Sequence, residues 1–307
     1  MIFENKSLEY LINTGEHCIR KDYAEYLKKD TLKEIKHIKG NKNYKIGIII
    51  PNCNYSEWID KCLTSILNQT YKNYEVIFVD DVSTDDSVKI AKKYKSKMNI
   101  KIVELKQKRF NGGARNEGYL YLSDDVDYVY YIDSDDWLIN EKVLEKINNN
   151  LQGNPDVLFI GLGADYSGII RSYYVPKYKD RYEAIKGWSG SSGKLIKKEI
   201  ALRPENLYQE GTLKEDRTQH YKICIAMDSY RCLDEICYVW NKNNTKSVTA
   251  IRNSKWKTDT IRNYADSVEL YEREKGKDHN IDQILLARVE NCWKEINNKG
   301  DSQQWHI

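Results

Sequence analysis

The stretch "YVYYIDSDDWL" at residues 128–138 sets Asp133, Asp135 and Asp136 at the end of an apolar and aromatic run. Carboxylates so close repel one another unless a cation sits among them. Two arrangements meet that constraint. One is a solvated acidic turn that caps the helix after Trp137. The other is a seat for Mg²⁺ or Mn²⁺, which take hard oxygen ligands, usually one or two carboxylates plus substrate phosphates. "VDDVSTDD" repeats the pattern, with Asp80 and Asp81 closing another apolar run. Acids there can accept from a uracil imide N–H or from ribose hydroxyls, while Ser83, Thr84 and Asp85 read as helix caps. "KRFNGGARNEG" offers Gly112 and Gly113, which permit a close backbone approach, ahead of a helix whose N-terminus favours anions. Arg115 lies in the first turn, where a guanidinium can meet phosphate oxygens. The fourth candidate is Asp216. On a helix over 212–227, opened by a capping box of Thr212 and Glu215, it shares a stripe with Leu213, His220, Ile223, Cys224 and Met227. An acid on that inward face needs a structural partner, such as Arg217 or Arg203, or a catalytic task. Pattern alone favours the structural partner, and reads His220 as a core histidine.

The elements that position these residues alternate in type. "KIGIII" (45–50) reads as a buried strand ended by Pro51, and "SEWIDKCLTSILNQ" (56–69) as a helix with Ser56 as its cap and Ile59, Cys62, Leu63, Ile66 and Leu67 on one stripe. "YEVIFVD" (74–80), "IKIVELK" (100–106) and "VDYVYYID" (126–133) read as further strands, each followed by a helix: 83–94, 112–123 and 140–151. Four strand–helix repeats with short connections predict a parallel sheet wrapped by helices. In such sheets ligands bind outside the carboxyl ends of the strands, and the candidate residues collect there. Beyond 155 the alternation weakens: "DVLFIGLG" is a strand, 187–202 a Gly/Ser-rich loop running into a helix, and 235–250 a strand and polar loop. Residues 1–44 carry apolar positions at helical spacing, with the Lys28, Lys29, Lys33, Lys36 cluster on a solvated face. Residues from 251 onward are helical and amphipathic.

Composition bounds the function. The 307 residues carry Lys+Arg 49 against Asp+Glu 46, a formal charge of +3, which gives no bulk electrostatic case for nucleic acid. No apolar run approaches the roughly 20 residues of a membrane helix, and the charged N-terminus has no signal-peptide core. The cytoplasm is the expected location, with peripheral membrane contact left open. The 7 cysteines are odd in number and form no C-x-x-C pair, which favours free thiols over disulfides or a zinc site.

Seven pieces in order, "IIIPNCN", "SILNQTYKNYEVIFVDDVSTDDS", "NGGARNEG", "YIDSDDW", "GKLIKKE", "KEDRTQHY" and "NTKSVTA", make the chain from about 45 to 250 resemble the family 2 glycosyltransferases. The resemblance implies an inverting enzyme with a GT-A fold, a Rossmann-like, mostly parallel sheet flanked by helices. It gives a nucleotide-sugar-binding part at 45–136 and an acceptor side at 137–250, between helical extensions at 1–44 and 251–307. It implies a nucleotide-sugar donor, UDP-linked first, a saccharide or other hydroxyl acceptor, and a divalent cation, Mn²⁺ or Mg²⁺. By the same resemblance Pro51, Asn54 and Tyr55, with Asp81 and Asp80, hold the nucleoside. Gly113 and Arg115 lie by the diphosphate, and Asp133 and Asp135 form the Asp-x-Asp motif, with Asp135 ahead of Asp136 as direct metal ligand. Asp216 is the general base, and Lys194 lies on the acceptor side, where Trp188 either stacks on a sugar or packs in the core. Two positions depart from the family pattern: Cys53 stands where an aromatic is frequent, and Asn243 or Asn244 where many relatives place a His. A sugar nucleotidyltransferase and a catalytically silent nucleotide-sugar-binding scaffold are the alternatives. The first lacks its glycine-rich loop after the first strand; the joint presence of Asp135 and Asp216 speaks against the second.

Overall fold

The computed structural model describes residues 33–35, 39–247 and 255–297. Its centre is β2 (Ile46–Asn52), every residue of which is buried. It pairs in parallel with β3 (Tyr74–Asp80) on one side and β5 (Tyr128–Tyr131) on the other, and β3 pairs with β4 (Ile100–Glu104). A strand covered on both faces reads as a continuous apolar run, as "KIGIII" does. Alternate residues serve opposite faces. Ile46, Ile48 and Ile50 join Phe78, Tyr130 and the stripes of α1 (Ser56–Leu67) and α4 (Val143–Asn150) in one core. Ile49, Ile77, Val129 and Tyr131 point to the other core, under α3 (Phe110–Tyr119). The short α2 (Ser87–Lys92) links β3 to β4.

The second half extends the same sheet. The order is β1-β10-β7-β9-β5-β2-β3-β4, with β7 (Val157–Tyr166), β9 (Lys194–Lys197), β10 (Ser229–Asn241) and a two-residue β1 (Lys33–Glu34). β9 runs antiparallel between β5 and β7, β6 (Trp137–Leu138) antiparallel beside β10, and β8 (Ile169–Tyr174) antiparallel beside β7. The antiparallel sense of β9 brings its first residue, Lys194, to the edge where β2, β3 and β5 end. Helices α5 (Arg181–Lys186), α6 (Lys198–Ala201) and α7 (Asp216–Ala226) cover this half, followed by α8 (Lys255–Glu274) and α9 (His279–Asn297). Leu270, Ile281 and Leu285 sink into the main core, while Tyr264, Val268, Val289 and Cys292 form a cluster between α8 and α9. No helix among the described residues is long and apolar enough to cross a membrane.

Several local readings change. Lys33–Glu34 is a strand paired in parallel with β10 rather than helix; residues 1–32, with Lys28 and Lys29, and Lys36 lie outside the described residues. Ser56 is the first residue of α1, not its cap, and its N–H donates to Asp85 Oδ2 at 2.9 Å. Residues 187–202 hold a strand, because Lys194–Lys197 finds backbone partners on both β5 and β7. The capping box of Thr212 and Glu215 does not form. Lys214 takes a left-handed φ of 64°, helix α7 begins only at Asp216, and the Thr212 hydroxyl is buried without a hydrogen-bond partner among the described residues.

Helix α3 lies close on β2 because Gly118 faces it: a Cβ there would stand 2.6 Å from Ile49 Cγ2, on a fully buried side chain. Gly118→Val should therefore destabilise the chain by about 1–3 kcal/mol through overpacking, read as a lower urea midpoint. An unchanged midpoint would show that α3 can lift from the sheet.

Candidate active site

The carboxyl ends of β2, β3 and β5 carry most of the acids singled out above, and each is held differently. Asp80, 3% exposed, accepts from Asn52 Nδ2 at 2.8 Å and from the Ser83 backbone N–H at 2.9 Å. Asp81 is spent on the next loop: its two oxygens accept from the backbone N–H groups of Arg109 (2.7 Å) and Phe110 (2.8 Å), and Lys108 Nζ lies 3.2 Å away. Lys108 also reaches Cys53 Sγ at 2.6 Å, so Cys53 and this lysine stand together beside the β2 end. Asn54, in a left-handed turn at φ 58°, accepts from the Thr84 N–H at 2.7 Å, which ties the two strand-end loops together. Pro51 is buried in β2, and Tyr55 precedes α1 as its N-cap residue.

The turn after β5 divides its three acids. Asp136 faces inward, with Oδ1 accepting from the Asn241 N–H at 2.8 Å and Oδ2 from the Tyr238 hydroxyl. Burial, then the charges of Asp135 and Asp133, push its carboxyl well above the usual range. Asp135 accepts one bond, 2.7 Å from Asn244 Nδ2. Burial first, and the Asp133 charge second, raise it to about 6. Of the two asparagines, Asn244 is the neighbour of this acid; Asn243 turns away to Asp165 at 3.0 Å. Asp133 is about a third exposed and accepts from Arg115 Nη2 at 2.7 Å. Among the described residues no three acidic, His or Cys side chains converge as a ready metal cage. The donor set nevertheless suits Mg²⁺ or Mn²⁺. Asp133 and Asp135 are hard oxygen donors on one turn, Asp133 is about a third exposed, and Asp135 carries a charge that burial disfavours.

Arg115 is itself buried, 3% exposed, with Nη1 donating to Glu215 Oε1 at 2.7 Å and its guanidinium 5.2 Å from the centre of the Tyr208 ring. Burial pushes the Glu215 carboxyl above its ordinary range despite that guanidinium. The glycines before Arg115 serve internal packing. A Cβ on Gly112 would meet Gln209 O at 2.5 Å and Glu215 Cγ at 2.8 Å, and one on Gly113 would meet Arg109 Cβ at 2.5 Å. In the sequence Glu215 is visible as a member of a capping box and as the glutamate that precedes Asp216 in "KEDRTQHY". Its real signal is its place beside Asp216, at the end of a buried cation. Tyr238 and Asn241 carried no distinguishing signal, since "YVWN" reads simply as strand.

Asp216 opens α7 with a half-buried carboxylate that makes no hydrogen bond or ion pair among the described residues. Neither Arg217 nor Arg203 pairs with it. Its charge acts on the neighbouring Lys194 and Glu215, raising both groups. Lys194 is fully buried, and its ammonium donates to Gly190 O at 2.9 Å. Trp188 packs among Tyr173, Tyr174 and Trp240, with ring centres 5.3, 6.3 and 5.7 Å away. His220, below Asp216 on the same helix, is fully buried against the Ala184 carbonyl at 2.9 Å, as a core histidine.

The model of the family described as "Glycosyl transferase family 2" matches residues 47–204, about half of the chain. The chain belongs to that family. It is 29% identical over 235 residues to Glycosyltransferase GlyA of Streptococcus pneumoniae, covering 69% of this chain and 32% of that protein. It is 30% identical over 177 residues to a poly(ribitol-phosphate) beta-glucosyltransferase of Bacillus spizizenii, covering 56% and 26%. The chain thus spans about a third of the length of the curated relatives it matches. Among solved structures, Staphylococcus aureus TarS 1–349 in complex with UDP-GlcNAc superposes with a TM-score of 0.66 at 20% identity, over 82% of this chain and 73% of that one. The mannosyltransferase PcManGT of Pyrobaculum calidifontis, in complex with GDP-Man and Mn²⁺, does so at 0.56 and 16% identity, over 85% and 77%. The sheet with its flanking helices is therefore the GT-A fold, with a helical C-terminal extension.

Burial holds the Lys194 ammonium down to about 8, so folded and unfolded chains differ in bound protons above that value. The unfolded chain keeps its proton to the ordinary lysine range, so this residue's destabilising effect is full near neutrality and fades as pH rises through 8 towards 10. Lys194→Met should stabilise the chain at pH 7 by about 1–3 kcal/mol and flatten that rise, as followed by melting temperature against pH. Equal slopes in both proteins would show the ammonium to be well solvated.

Proposed function

We propose that this chain transfers a sugar from a nucleoside-diphosphate sugar, UDP-linked first, to a hydroxyl of a saccharide or polyol acceptor, by one displacement that inverts the anomeric configuration. The observation that carries the reading is Asp216. It is a half-buried carboxylate with no hydrogen bond or ion pair among the described residues, at the N-terminus of α7, adjoining the residue that Arg115 links to the acidic turn. The helix dipole there favours the ionised form that a base must have. Asp216 takes the proton of the acceptor hydroxyl, whose oxygen bonds to the anomeric carbon as the bond to the diphosphate breaks. The strand-end loops with Pro51, Asn54, Tyr55, Asp80 and Asp81 hold the nucleoside. Asp133 and Asp135 hold the divalent cation, Mn²⁺ or Mg²⁺, which when bound offsets the charge that builds on the leaving diphosphate. Asp136, with both oxygens engaged, fixes the turn. Gly112, Gly113 and Arg115 shape the diphosphate side from behind. Lys194 anchors the 187–193 loop on the acceptor side. The UDP-GlcNAc bound by the TarS structure supports the donor class, and the relative named for poly(ribitol-phosphate) supports a polyol or saccharide acceptor.

Two substitutions test the roles. Asp135→Ala should weaken Mn²⁺-dependent UDP binding by about tenfold or more and leave the weak binding in chelator unchanged, by calorimetry. Equal UDP affinity of the wild-type chain in chelator and in Mn²⁺ would sink the metal role. Asp216→Asn keeps the shape and removes the basicity. Transfer from a UDP-sugar should fall by roughly 10²–10⁴-fold, with UDP affinity and melting temperature retained. Near-normal transfer would remove Asp216 from the mechanism.

A further inference from the structure

Arg115 joins two carboxylates from distant parts of the chain, and they differ in one respect. Glu215 is closed off, its side chain 5% exposed; Asp133 is open, at 35%. Each accepts a bond of 2.7 Å from a separate nitrogen of the same guanidinium. One positive charge is thus shared between an acid that nothing else can reach and an acid at the site edge. Were Glu215 neutral, the whole field of a buried guanidinium would fall on Asp133, and an arriving cation would have to compete with a full ion pair. With Glu215 ionised the three groups together carry net negative charge, and Asp133 keeps charge to offer. Packing fixes Glu215 in this place: there is no room for a Cβ on Gly112, 2.8 Å from Glu215 Cγ, and the Tyr208 ring lies against the guanidinium. We infer that Glu215 is a positioning residue whose charge, relayed through Arg115, keeps Asp133 available to a divalent cation and ties the start of the Asp216 helix to the same turn. The inference rests on the reading of Asp133 and Asp135 as cation-binding residues.

The test titrates Mn²⁺ alone into the whole chain at mildly alkaline pH, with the free aqua ion followed by electron paramagnetic resonance. Wild type, Glu215→Gln, Glu215→Asp and the double variant Arg115→Gln Glu215→Gln are compared, with melting curves alongside. Glu215→Gln should bind Mn²⁺ about tenfold more weakly, and Glu215→Asp, which keeps the charge, should stay close to wild type. The double variant removes the competing cation together with its counterion, and its Mn²⁺ affinity should return to the wild-type level or above. A residue that merely supported the local structure would not be rescued by a second loss. Glu215→Gln with wild-type affinity, or a double variant as weak as Glu215→Gln, overturns the inference. If Glu215→Gln lacks a cooperative melt, the double variant decides: affinity below wild type overturns the inference there too. A wild-type chain that binds no Mn²⁺ overturns the cation reading itself, an outcome distinct from variants that match a wild type that binds.

Discussion

Crowded negative charge is the constraint that organises this molecule. Asp80, Asp81, Asp133, Asp135 and Asp136 all stand where parallel strands end, and like charges gathered at the edge of an apolar sheet must each be answered. Asp80 is answered by an amide and a serine, Asp81 by two backbone N–H groups and a lysine, Asp136 by a phenol and a backbone N–H. Asp133 shares a guanidinium. Asp135 has one asparagine amide and no positive partner among the described residues. The acid left least compensated is the one at the centre of the turn, and the loops around it exist to settle its neighbours.

The first half of the sheet was legible because its physics is local. β2 and β3 are buried on both faces, so their apolar runs stand out, and β3 begins and ends where its composition changes. The α1 stripe of Ile59, Cys62, Leu63 and Ile66 is likewise visible at helical spacing. The second half was harder, since its elements are set by partners far along the chain. Lys194–Lys197 has a strand's hydrogen bonds only because β5 and β7 flank it. The start of α7 moved to Asp216 because Glu215, instead of capping, is held by a guanidinium 100 residues away. No window of sequence contains such a contact.

Arg115 illustrates the same limit for function. Its place after two glycines and at a helix start reads as a phosphate contact. Burial at 3% exposure with a carboxylate on each arm gives it the work of joining three elements, which that place does not reveal. The glycines follow suit: the close approach permitted at Gly112 is that of the 208–215 segment of the same chain, and at Gly113 that of the Arg109 side chain.

The grip of α8 on the loop before Asp216 has a consequence for the order in which the site becomes complete. Asp259 accepts from the Leu213 N–H at 3.0 Å, Asn263 donates to the Leu213 carbonyl at 2.8 Å, and Gln209 reaches the Arg262 carbonyl at 3.2 Å. A buried pair between Lys222 and Asp266, 2.9 Å apart, fastens α8 to α7 below them. On a ribosome, β2 to β5 have left the exit before the segment that steadies Asp216 is synthesised, since the chain emerges from its N-terminal side. The strand-end acids from Asp80 to Asp136 emerge first, and Asp216 acquires a fixed address only when the helix from Lys255 docks.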